Sequence, residues 1–472
     1  MEQRVRALNQ GPINPRGRCV IYWMERAQRA KDNLALVYAI EQANSLLKPL
    51  VCYFAVDESL PMSSPRSLTF IFSGIKETAA ELEKRGVPFV SRIESPADGI
   101  QRMELELDPC LVVVEEALVG YERMLRERAA ARLAVSLLAV DSEAVVPMRA
   151  WQGEIANIAQ MKRRASLLWR RHPPEIATPK LRISGQKIRV PKRIELAETE
   201  VMSLVASSRL HTNVVPSPLL QGGPKAAEKR LHDFVRRGLA AYPGSCTEPG
   251  LDGGSGLSPY LHFGQIWAGR VALEVQRARA PEAAKKAFLE NLLIWRELAM
   301  NFCCHHPDHD SPVVMAAWAK ETLDSHRADP RPTLYRREEL ETASTQDPLW
   351  NAAQRELLAA GRIPPSLRPL WAKKIMQWSA SPEEAWEAAI YLNDKYALDG
   401  RDANGYFNIA RCLGGVHEKP ARERPIFGRL PYLASEQFVK KINFGAYLER
   451  VRRTCRLAGL EEESPDTNRS ER

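Results

Sequence analysis

CVIYW (19–23), PLVCYFAV (49–56), PFVSRI (88–93), LVVVEE (111–116) and VSLLAVD (135–141) are short apolar runs that recur through the first 145 residues. Their length and their β-branched and aromatic content fit strands buried on both faces. The segments between them, 33–47, 68–85, 96–107 and 120–133, carry apolar residues at helical spacing. Strand and helix in alternation predict a doubly wound, parallel α/β sheet. No GxGxxG follows the first run, so the usual dinucleotide fingerprint is absent, and the fold by itself names no ligand.

Outward from that segment the text changes twice. From 151 to 224 it becomes proline-rich (HPPEIATPK, RVPKRIE, VVPSPLLQGGPK) with few sustained apolar periods, which fits a long connector. From 225 to 460 it is rich in Ala, Leu, Glu and Arg and reads as an all-α domain. The expected organisation is therefore an α/β domain over 1–150, a linker over 151–224, a helical domain over 225–460 and a solvated tail over 461–472.

A chain of 472 residues is too long for one ordinary core. The formal charge of +9 and pI near 9.1 are compatible with a polyanionic partner, because clustered cations displace counterions from phosphates. Eight cysteines are scattered, with Cys303–Cys304 the only close pair and no CxxC or zinc spacing, so no metal site is expected and reduced thiols in a cytoplasmic protein fit best. The first residues lack the apolar core of a signal peptide. No run of about eighteen apolar residues is present, so no membrane span is expected.

The chemistry concentrates between Trp350 and Asp402: DPLWNAAQ, LRPLWAKKIMQW and YLNDKYALDGRDANGY. Trp350, Trp371 and Trp378 lie beside Arg368, Asn393, Asp399 and Asp402. Indole is readily oxidised, so spaced tryptophans can carry electrons, and the polar residues can hydrogen-bond a redox ring. Trp371 and Trp378 are also two helical turns apart, as on any buried helix face, and spacing alone leaves both readings open. In SGLSPYLHFGQIWAGR (255–270), Gly256 and Ser258 before Pro259 suit a helical first turn that attracts an anion, or an ordinary capped helix. FLENLLIWRELAMNF (288–302) reads as an amphipathic helix with Asn291, Trp295 and Leu298 on one face, and Arg296 and Glu297 as a solvated edge.

YWMERAQRAKDN, LSPYLHFGQ, DPLWNAAQREL, YLNDKYALDGRD and GGVH, in this order, resemble the photolyase/cryptochrome superfamily, specifically its class II cyclobutane-dimer photolyases. The resemblance covers almost the whole chain. It implies an antenna-type α/β domain and a helical domain holding FAD noncovalently. Tyr242, Gly256, Leu257 and Ser258 would lie along the FAD phosphates and ribityl chain. Arg368 and Asp399 would pair beside the ring, and Asn393 would face its N5. Trp371 would be the proximal electron donor, followed by Trp350 and then Trp378. The implied partner is UV-damaged duplex DNA bound by a monomer. A second antenna chromophore, deazaflavin or folate, is also implied.

The substrate-facing positions depart from that pattern. Asn291 stands where the family has Glu, and Arg411 where it has a tryptophan that packs on the dimer; the other aromatic wall, Trp295, is retained. Prolines at 364, 365 and 369 replace a Gly- and Met-containing run, with Pro369 expected to remove a backbone donor. Cys246 and Glu418 replace an Arg–Asp pair. The implied function is blue-light-driven splitting of cyclobutane pyrimidine dimers. Weakened repair, a different lesion, or a cryptochrome-like photoreceptor with a signalling partner are the alternatives these departures leave open.

Overall fold

The computed structural model describes residues 1–57, 63–190 and 213–460. Strands β1 (Val5–Ala7), β2 (Cys19–Met24), β3 (Leu50–Val56), β4 (Phe89–Ile93), β5 (Pro109–Glu115) and β6 (Leu137–Val140) form one sheet in the order β1-β6-β5-β2-β3-β4. The five runs read from the sequence are β2 to β6, and all their pairings are parallel. β1 was not foreseen. It is a three-residue edge strand, antiparallel to β6, too short and too exposed to carry a hydrophobic signal.

Side chains alternate across each strand, so the sheet has two cores. Ile21, Trp23, Val51 and Tyr53 pack beneath helices Pro96–Leu107 and Gly120–Ala130. Val20, Tyr22, Cys52 and Phe54 face helices Leu34–Ser45 and Pro65–Lys84, and that core continues into Phe234, Tyr242 and Tyr260 of the helical region. The larger core lies mainly around the later helices, takes in Val119 and Val146 from the first domain, and contains Trp350, Trp371 and Trp378.

Within 151–224 the chain is less irregular than its prolines suggest. Helix Ile158–Arg171 places Met161, Ala165 and Leu168 at i, i+4 and i+7 against the helical core. The remainder of the connector over 191–212, and the tail from 461, lie outside the described residues.

Buried side chains join the α/β domain to the helices, Arg66 and Glu297 among them. Arg66 gives its guanidinium to the carbonyls of Val215 (2.9 Å), Leu357 (3.0 Å), Tyr396 (2.6 Å) and Leu358. Glu297, expected on a solvated edge, is fully buried, and its Oε1 accepts the N–H groups of Val145 (2.8 Å) and Val146 (3.1 Å). Its neighbour Arg296 is buried too and pairs with Glu143 at 2.7 Å. Sequence periodicity failed at both because the helix turns irregularly just before them. Residues Glu290–Trp295 form a π-helical turn, with the Arg296 N–H reaching back to the Asn291 carbonyl, which rotates everything downstream.

Glu297 Oε2 has no hydrogen-bond partner. Burial pushes this carboxyl up to about 8, against the two backbone donors, so it is protonated in the neutral fold. A raised folded value contributes stability that is complete below the unfolded value and is lost as pH rises through the folded one. Relative to Glu297→Gln, the wild-type chain should therefore lose roughly 1 kcal/mol per pH unit between the ordinary carboxyl range and pH about 8. Parallel pH profiles of unfolding free energy for the two proteins would show that Glu297 is ionised in the fold.

Candidate active site

The helical region encloses a cavity of about 610 Å³, within the span of small-molecule and cofactor sites. Helices Arg368–Trp378, Pro382–Tyr396 and Ala403–Gly414, the loop 253–256 and the π-helical turn at 290–295 supply its walls. Gly256 takes φ +65°, and a Cβ there would lie 2.5 Å from an Arg230 guanidinium nitrogen. Gly254, by contrast, faces open space, so bare backbone borders the cavity.

On one wall Arg368 pairs with both oxygens of Asp399 at 2.8 and 2.9 Å, and the Ser258 hydroxyl donates to the same carboxylate. Asn393 lines the same cavity, and so does Trp371. Behind Trp371 the three tryptophans touch. Trp350 lies parallel to Trp371 with centroids 6.5 Å apart, and edge-on to Trp378 at 5.5 Å. The Trp350 indole N–H donates to the Trp371 carbonyl at 3.0 Å, and that of Trp371 to Gln354 at 2.9 Å. Local sequence builds this arrangement. Asp347 caps the Trp350 helix by accepting the N–H groups of Leu349 and Trp350, Pro348 starts it, and Gly361 at φ +75° ends it. Tyr335, which sequence reading missed, extends the row, its half-buried ring 5.3 Å from Trp378. Nothing in its own segment marks it, because the contact is made across the fold.

The departures Asn291, Arg411, Cys246 and Pro369 line the same cavity. Asn291 donates to the Tyr242 hydroxyl at 3.0 Å. Arg411 ion-pairs with Glu418, and its guanidinium lies over the Trp295 ring at 4.4 Å and over Phe407 at 5.9 Å. Glu418 thus serves Arg411, and Cys246 lines the cavity apart from that pair. A cation over indole is favourable by about 0.5–2 kcal/mol, so the aromatic face of Trp295 is already covered.

Four expectations change. Leu257 is 1% exposed, with its side chain in the core rather than along the cavity. Leu298 is fully buried and does not share a face with Asn291 and Trp295, because the π-helical turn intervenes. Pro369 breaks no hydrogen bond, since it sits in the first turn of its helix, where backbone N–H groups are free anyway. Asp402 lies away from the cavity and caps helix Ala403–Gly414 instead.

A second cavity of about 310 Å³ lies between the sheet and the helices, lined by Glu25, Asp57, Tyr121, His309, Asp394 and Tyr406 among others. Burial pushes the Glu25 carboxyl up to about 7, opposed by Arg126 at 2.8 Å. Among the described residues no cluster of His, Cys, Asp or Glu is placed to hold a metal, and no helix is long and apolar enough to cross a membrane.

Residues 20–179 match the family model for DNA photolyase. The chain is 33% identical over 461 residues to a deoxyribodipyrimidine photo-lyase of Methanothermobacter thermautotrophicus, covering 95% of this chain and 98% of the relative. The fold matches a Synechocystis cryptochrome with a TM-score of 0.72 at 15% identity, over 93% of this chain and 89% of that one. It also matches a Sulfolobus tokodaii photolyase, described with two FAD molecules, with a TM-score of 0.64 at 15% identity, over 91% and 89%. With a parallel-sheet domain joined to a helical one, and likeness to such a relative along nearly its whole length, the chain belongs to the photolyase/cryptochrome family.

Proposed function

We propose that this chain is a blue-light-driven, FAD-dependent DNA photolyase of class II type, acting on cyclobutane pyrimidine dimers in UV-damaged DNA with weakened repair. The observation that carries the reading is the row of touching indoles that ends on the cavity wall at Trp371, close to the Arg368–Asp399 pair. The full-length likeness to a photo-lyase supports the enzyme class.

The residues present fit FAD. The cavity, at about 610 Å³, lies in the range of cofactor sites, bare glycine backbone borders it, and a charge-neutral Arg368–Asp399 pair offers donors without a net charge. Tyr242, Gly256, Ser258, Arg368, Asn393 and Asp399 would hold the cofactor. When bound, FAD supplies a photo-excitable ring that exchanges single electrons. Trp371, Trp350 and Trp378 pass electrons inward along contacting rings, and core packing keeps water from the first two. The smaller cavity, lined in part by the α/β domain, is the place proposed for an antenna chromophore.

Trp371→Phe should leave FAD bound at one per chain while abolishing its photoreduction by blue light and an external thiol, because Phe fills the volume but resists oxidation. Absorbance at the flavin bands during illumination reads this. Unchanged photoreduction would make the tryptophans core and nothing more, and a wild-type chain that takes up no FAD would overturn the proposal.

A specific observation favours a second reading, a light sensor without repair: Arg411, held by Glu418, occupies the face of Trp295 on which a flipped base would stack. Base–aromatic stacking contributes about 1–3 kcal/mol per base. Arg411→Trp combined with Asn291→Glu should accordingly tighten binding of dimer-containing over intact DNA by about tenfold or more. Repair under blue light should rise more in the double variant than in either single one, because both positions act on one lesion. Efficient repair by the unmodified chain would reject the sensor; none even in the double variant would favour it. DNA affinity should fall steeply with salt in either case, as phosphate contacts require.

A further inference from the structure

Asn393 and Asp394 are chain neighbours near the end of helix Pro382–Tyr396, yet Asn393 lines the larger cavity and Asp394 the smaller. One hydrogen bond connects them: Asn393 Nδ2 donates to Asp394 Oδ1 at 2.9 Å. The same oxygen accepts the Arg401 backbone N–H at 2.9 Å, and Oδ2 accepts the Tyr406 hydroxyl at 2.9 Å. Arg401 adopts φ +54°, in the left-handed region, to turn that N–H inward. Every one of these partners is a donor, so the site is built for an acceptor-only carboxylate. Burial pushes the Asp394 carboxyl up, while the Arg401, Asn393 and Tyr406 donors pull it down, so its ionisation depends on those bonds.

The consequence falls on Asn393. One of its two amide N–H groups is committed to Asp394, which fixes the orientation of the amide, and its Oδ1 has no hydrogen-bond donor among the described residues. Gly405 borders the amide: a Cβ there would lie 3.0 Å from Nδ2 and 3.6 Å from Oδ1, so any larger residue would press on the amide nitrogen. With the orientation fixed and the Nδ2 side bordered by Gly405, the oxygen is the acceptor left for whatever fills the cavity.

We infer that Asp394 is a positioning residue that fixes Asn393 Oδ1 toward the bound flavin ring, so that the pocket favours the N5-protonated form, which can donate, over the unprotonated one. This rests on the flavin reading above. Asp394 thus acts from the far side of the wall, through a neighbouring side chain, and touches no ligand of the larger cavity itself. It also places the wall of the smaller cavity one hydrogen bond from the flavin-facing amide.

The test uses the full chain and two variants. Asp394→Asn keeps the shape but replaces an obligatory acceptor with a group that can also donate. Tyr406→Phe removes a donor at Oδ2 and leaves the Asn393–Asp394 bond in place. Exchange of the Asn393 side-chain amide protons, followed by nitrogen-15 NMR in the chain before FAD is added, reads the bond directly. The ratio of neutral to anionic one-electron-reduced flavin absorption, in the loaded chain titrated with dithionite, reads its effect. Asp394→Asn should accelerate the exchange and lower that ratio about tenfold, the worth of one good hydrogen bond, with FAD still at one per chain. Tyr406→Phe should leave both near wild type. Unchanged exchange and ratio in Asp394→Asn would overturn the inference, as would equal shifts in Tyr406→Phe, which would mark a general loosening. If the wild-type chain binds no flavin, the flavin reading and the ring's part of the inference fail together, while amide exchange still decides whether Asp394 holds Asn393.

Discussion

The buried guanidinium of Arg26, just beyond β2, ties the two halves of the molecule together through charge. It reaches Glu122 at 3.1 Å and Glu143 at 3.6 Å in the α/β domain, and Asp402 at 3.0 Å in the helical one. Arg296 adds a second cation on Glu143 at 2.7 Å, and His262 contacts Asp402 at 3.0 Å. Burying a charge without a partner costs several kcal/mol, so each member tolerates burial only while the others stay in place. Burial opposes ionisation of Asp402, but the His262 hydrogen bond and the charges of His262, Arg26 and Arg296 overcome it and hold the carboxyl far below its usual range. The cluster is therefore conditional on the two domains meeting.

That dependence extends to the cavity. Asp402 also accepts the Asn404 N–H at 2.9 Å and so caps helix Ala403–Gly414, where a negative charge meets the positive end of the helix. The helix carries Gly405, which makes room for the Asn393 amide, and Arg411, which lies on Trp295. A rotation of the helix would move both walls together. The cavity wall at Asn393 and that at Trp295 are thus both set by one element whose start is pinned by an interdomain charge.

Two of the departures, Asn291 and Arg411, are each partnered within the protein. Arg411 and Glu418 neutralise each other, and Arg411 uses the ring that a base would need. Asn291 is engaged with Tyr242, although its amide remains exposed at the rim. Each new residue has found a partner inside the protein, and that turns contacts inward which a carboxyl and an indole would offer outward. Arg368, Asp399, Asn393 and Trp371, which line the same cavity, are the residues that the family resemblance implies for a flavin shell.

Local chemistry was legible in the sequence. The strands β2 to β6 and the helices between them follow from apolar periods, because a doubly buried strand and a one-faced helix leave different signatures. The motif words placed Trp350, Trp371, Arg368, Asn393 and Asp399 near one another, but periodicity could not say whether the tryptophans touch. Stacking at 6.5 Å and 2° is a property of two helices packed together. Arg296 and Glu297 misled for a related reason: a charged pair on a helix reads as solvated until another domain supplies backbone donors and carboxylates to receive it. Leu257 and Pro369 turned on orientation and position within a turn, which residue identity does not encode. By itself the sequence determined which elements form and which residue types are available for chemistry, since those depend on neighbours within a turn or a strand. Only the tertiary structure decided which partners those residues take, above all Arg411 with Glu418 and Asn393 with Asp394, because a hydrogen bond or ring contact exists only where separate helices, capped and held by buried charge, bring two groups within about 3 to 5 Å.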